Sequence, residues 1–86
     1  MPRFVDVHHK MPQITPEMAG MMKDRIVGRQ ADEFDCVAID VMAGNDGTAF
    51  CVTEGPSADA VVKSHTSKGV PLDLGDVHQV TSIASS

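Results

Sequence analysis

The sequence predicts a single α+β domain built as two β-α-β halves, four strands and two helices in the order β-α-β-β-α-β. Three observations predict it. The chain has 86 residues, enough for one small core and too few for several domains. Segments of period-two apolar alternation occur near residues 3–9, 36–42, 48–54 and 76–83. Two segments with helix-start chemistry separate them, one opening at Thr15-Pro16-Glu17 and one at Gly55-Pro56-Ser57.

The first strand is Phe4-Val5-Asp6-Val7-His8, with Val5 and Val7 on one face and Phe4, Asp6 and His8 on the other. Val5 and Val7 are expected to face the helices, which leaves Asp6 and His8 on the outer face. Thr15 then serves as N-cap, Pro16 suits the first helical position, and Glu17 favours the positive end of the helix dipole. The helix runs to about residue 29. Met18, Met22 and Ile26 recur at i, i+4 and i+8 as its expected buried stripe, with Met21 beside them.

In the second strand Val37, Ile39 and Val41 are expected to share a face. Gly44-Asn45-Asp46-Gly47 is a hairpin signal, because these residues tolerate positive φ, and Thr48–Glu54 returns as the third strand. Ser57 caps the second helix and Asp59 sits in its first turn. Ala58, Val61, Val62 and His65 fall on one side, and Gly69 stands where a C′ glycine belongs. After Pro71 and Gly75 the last strand covers residues 76–83. This is the split βαβ arrangement of ferredoxin-like folds. Right-handed crossovers place both helices on one face of an antiparallel sheet of order 4-1-3-2. The other face is left without a helix, and a second copy of the chain is the expected cover.

Composition excludes several functions. Net charge is −5, so a phosphate backbone is repelled and a nucleic-acid partner is not expected. Phe4, Phe34 and Phe50 are the whole aromatic complement, too few for a base-stacking surface. No apolar run approaches the roughly 18 residues of a membrane span, and the opening residues lack the apolar core of a signal peptide. A soluble, cytoplasmic, reduced protein is the expectation. Cys36 and Cys51 have no CxxC spacing and read as small core residues. There is no nucleophile elbow, phosphate loop or HExxH.

The remaining signal is histidine with carboxylate. Asp6-x-His8 puts both groups on one side of a strand, roughly 7 Å apart at Cα. Asp76-x-His78 repeats the spacing on the last strand, expected beside the first. His65 lies at the edge of an apolar helical stripe, where a hydrogen-bonded structural histidine is the plainer reading and a ligand the sharper one. Imidazole with carboxylate suits borderline divalent ions such as Ni(II), Zn(II), Co(II) or Cu(II), and an acidic surface favours a cation. The ligand candidates are Asp6, His8, His65 and His78. The competing class is an enzyme or ligand-binding protein of the dimeric α/β-barrel type, whose mark would be a closed pocket between sheet and helices reached by His65 or His9.

The opening Pro2-Arg3-Phe4-Val5-Asp6-Val7-His8, the stretch Phe50–Val61 and the Gly69-Val70-Pro71 step together resemble the domain of unknown function 4242 family, small bacterial proteins with a nickel-binding member. The resemblance runs over essentially the whole chain. It implies a ferredoxin-like homodimer that binds nickel at its surface, with a role in sequestration or detoxification; our reading of the residues adds that no reaction is catalysed. By position it carries Asp6, His8 and His65 over as site residues and aligns His78 with a Tyr or His. Val70 and Met22 stand where nickel-binding relatives carry histidine, and Leu74-Gly75 resembles a short insertion.

Overall fold

A computed structural model describes residues 1–11 and 14–84. Its elements are β1 (Arg3–His8), α1 (Pro16–Gly28), β2 (Val37–Ala43), β3 (Ala49–Glu54), α2 (Ala58–Ser67), a short 3-10 turn (Leu74–Asp76) and β4 (Val77–Val80). The strands form one antiparallel sheet of order β2-β3-β1-β4, as the ferredoxin-like topology requires.

Local chemistry sets the boundaries. The Thr15 hydroxyl accepts the Met18 N–H at 3.2 Å, and the Ser57 hydroxyl accepts the Ala60 N–H at 3.1 Å. α1 stops at Arg29, which takes a left-handed conformation (φ 48°) and donates its N–H to the Arg25 carbonyl. The hairpin closes with the Gly44 N–H on the Thr48 carbonyl at 2.8 Å, and Gly47 takes the required positive φ of 87°.

Three expectations are corrected. On β1 the buried side chains are Phe4, Asp6 and His8, so these, and not Val5 and Val7, face the helices. The larger Phe4 takes the core position and the period of two carries Asp6 and His8 in with it. On β2 a bulge between Ala38 and Asp40 breaks the alternation. Val37 pairs with Glu54 on the uncovered face, whereas Val41 pairs with Cys51 beneath the helices. On the last strand the 3-10 turn absorbs Asp76, so β4 begins at Val77 and is shorter than its pattern suggests.

The core lies under α2, where Phe4, Cys36, Val61 and Leu72 are buried together. α1 has no buried residue. Met22 and Ile26 are half-buried, whereas Met18 and Met21 are exposed, so the methionine stripe does not fill the core. The sheet beneath α1 is separated from it by a cavity. α2 is tied down by a polar knot. The Asp32 carboxylate accepts from the Phe34 and Cys36 N–H groups, from the Ser64 hydroxyl and, at 2.7 Å, from the Lys68 ammonium. These contacts hold the Asp32 carboxyl well below the usual carboxylate range even though its partial burial pulls the other way. Among the described residues no helix is long and apolar enough to cross a membrane.

Candidate metal centre

Three elements converge on one point beneath α2. β1 supplies Asp6 and His8, two residues apart and therefore on the same face. β3 supplies Cys51, which lies directly across the ladder from Asp6. α2 supplies His65 from its last turn. One donor atom from each of these four residues lies within 4.8 Å of the others.

The cluster is buried: Asp6 is 0% exposed and His8 5%. His8 Nε2 lies 2.6 Å from Asp6 Oδ1, and His65 Nε2 lies 3.5 Å from Oδ2. Neither approach is aligned as a hydrogen bond, so both Asp6 oxygens and His8 Nε2 have no hydrogen-bond partner. A buried carboxylate beside two imidazole nitrogens but without an aligned hydrogen bond recovers only part of what it loses with its water. Such atoms call for an explanation, and a bound ion supplies one: ligand lone pairs aim at a common point and not at one another.

His65 is oriented for that role. Its Nδ1 lies 2.9 Å from the Val61 carbonyl, which can only accept. Nδ1 therefore carries the proton, and in the neutral ring Nε2 presents its lone pair to the cluster. A backbone carbonyl fixing the tautomer is a common outer partner of metal-bound imidazole. The same hydrogen bond is what a structural histidine would make, so both readings of His65 describe one geometry. The His8 and His65 rings lie 5.2 Å apart, tilted by 35°.

Burial, with the Asp6 charge beside it, pushes the Cys51 thiol up to about 12. In the metal-free protein it is a thiol, and an ion would have to displace its proton to gain a thiolate. The donor set of two imidazoles, a carboxylate and a thiol suits borderline divalent transition metals.

Of the residues singled out in the sequence, Asp6, His8 and His65 come together and His78 does not. His78 pairs with Val5, which puts it on the uncovered face, exposed. Asp76 sits in the 3-10 turn 3.1 Å from His9 Nε2, so the second Asp-x-His pair is no ligand arm. Cys51 was missed. Its alternation marks it as buried, as it is, but only the register between β1 and β3 puts it opposite Asp6.

Fold and site together define a small α+β domain with a possible metal-binding cluster. The crystal structure of SCO4226 from Streptomyces coelicolor A3(2) is similar to it, with a TM-score of 0.71 and 29% identity over 95% of this chain and 99% of that one. No protein-family model matches the chain. No curated protein matches it either.

Proposed function

We propose that the protein binds one divalent transition-metal ion per chain, nickel by preference, at Asp6, His8, His65 and Cys51, and that it sequesters the ion without catalysing a reaction. The observation that carries this reading is the carboxylate of Asp6, fully buried, without a hydrogen bond and facing three further donors. The nickel assignment rests on the resemblance to the domain of unknown function 4242 family, of which we take the chain to be a member. Imidazole and carboxylate donors are compatible with Ni(II).

The working unit of this reading is a homodimer. Val5, Val7, Phe50 and Val52 lie on the sheet face that neither helix covers, half-buried in the isolated chain, and a second copy would shield them.

Calorimetry with Ni(II) on tag-free protein tests the reading. Wild type is expected to bind one equivalent, and His8→Ala to lose most of the heat. Equal heats for the two proteins would remove His8 from the site.

A further inference from the structure

The cluster is not sealed on every side. Asp6 closes it from behind, but His8, Cys51 and His65 also line a cavity of about 340 Å³ between the sheet and α1. This volume lies at the lower end of the roughly 300–1,000 Å³ range of small-molecule pockets. The cavity exists because α1 buries none of its residues. Its walls are mainly apolar, with Met22 and Ile26 from α1 facing Ala38 and Val41 of β2. Its charged groups are largely engaged: Lys68 is paired with Asp32, and Asp40 accepts the Val41 N–H. Arg25 lines the cavity too, and makes no ion pair among the described residues.

We propose that this cavity binds a small amphipathic monocarboxylate, its head reaching the metal ion at His8 and His65 and its hydrocarbon body lying between α1 and β2. The proposal rests on the metal-binding reading. An ion at the cluster, its charge balanced by the Asp6 carboxylate and the Cys51 thiolate, offers the inner end a Lewis-acidic contact for an anionic head, and Arg25 adds a positive group opposite the Asp40 carboxylate of the same lining. The remaining wall offers mainly apolar contact, with Gln30, Asp40 and Thr53 as further polar groups. A metal-directed anionic head on a short hydrocarbon chain matches both features. A larger polar molecule, such as a nucleotide or sugar, would leave its polar groups unpaired against Met22, Ile26 and Val41. A cavity between sheet and helices reached by His65 is thus present in the same molecule as the metal cluster, but it opens to solvent, whereas the competing class calls for a closed one.

The test uses Co(II) as a spectroscopic stand-in, because its visible absorption reports changes in its ligands. Tag-free protein is loaded with Co(II) and titrated with octanoate and, separately, with acetate. Each buried methylene is worth about fourfold in affinity. Octanoate is therefore expected to perturb the Co(II) bands with at least tenfold tighter binding than acetate. Ala38→Phe, which fills the cavity without touching a metal donor, is expected to keep Co(II) uptake and lose the octanoate effect. Ile26→Trp blocks the same space from the helix side and covers the case in which Ala38→Phe does not fold. Co(II) binding with no preference for octanoate over acetate would overturn the pocket and leave the metal centre standing. An octanoate effect that survives in folded, blocked variants would overturn it equally. Failure of the wild type to take up Co(II) would overturn both.

Discussion

Asp6 is where structure and stability pull in opposite directions. On the proposed reading, a fully buried carboxylate without an aligned hydrogen bond costs the metal-free fold stability, and an ion would convert the same group into a ligand. In chelator-treated protein Asp6→Asn is therefore expected to be at least as stable as wild type by urea denaturation. On addition of Ni(II) at about 100 times the dissociation constant, wild type should gain about 2.7 kcal/mol and the variant almost nothing. A loss of stability in Asp6→Asn without metal would mark Asp6 as structural. Cys51 sets the pH dependence. Its thiol, held up at about 12, keeps its proton at neutral pH, so binding through sulfur releases a proton. Affinity should rise about tenfold per pH unit between pH 7 and 9, measured by calorimetry, and this slope should flatten in Cys51→Ala. Gly55 shows how tightly the neighbouring core is filled. A Cβ there would meet Cys36 Sγ at 2.9 Å, and Cys36 is itself buried in the core. Gly55→Ala is expected to cost about 1–3 kcal/mol in a denaturation experiment, as overpacking does.

At the scale of elements, the sequence was most readable where chemistry is local. Thr15-Pro16-Glu17 and Ser57 placed both helix starts, and Gly44–Gly47 placed the hairpin, because caps and turns depend on a few adjacent residues. What depends on packing between elements was not readable. Val5 and Val7 look like a core pair, yet the competing Phe4 decides which side of β1 is buried. No local pattern marks the bulge after Ala38, which reverses the face of Val41 relative to Val37. Asp6-x-His8 was legible as a ligand pair from strand period alone, whereas Cys51 joined it only through cross-strand register and His65 through the docking of α2. That docking depends on the Asp32 knot. Because the Asp32 carboxyl is held below its ordinary value, its contribution to stability is complete above about pH 4, the unfolded value, and is lost as pH falls further. Urea denaturation of wild type and Asp32→Asn should show a difference at pH 7 that shrinks as pH is lowered towards 2. A difference independent of pH would assign the effect to the neutral hydrogen bonds instead.

At the scale of the whole molecule, the two helices divide the labour. α2 closes the core and delivers His65, whereas α1 stands over a cavity and contributes no buried side chain. The opposite sheet face is apolar around Val5, Val7, Phe50 and Val52, with the Arg3–Glu54 ion pair at 3.3 Å across the β1–β3 ladder. Sedimentation at micromolar concentration should give a dimer for wild type. Val52→Asp, placed in the middle of that face, should give a monomer that still binds one metal ion, since every donor comes from one chain. A wild-type monomer would contradict the dimer, and a monomeric variant unable to bind metal would show that the centre needs both copies.

The most direct test of the proposed buried metal centre is X-ray absorption at the nickel edge of tag-free, Ni(II)-loaded protein. The account predicts two imidazoles and one sulfur around the ion, with the sulfur contribution lost in Cys51→Ser and the imidazole scattering reduced in His8→Ala. An ion surrounded only by oxygen and nitrogen donors, with a spectrum unchanged in both variants, would place nickel on the surface and contradict it.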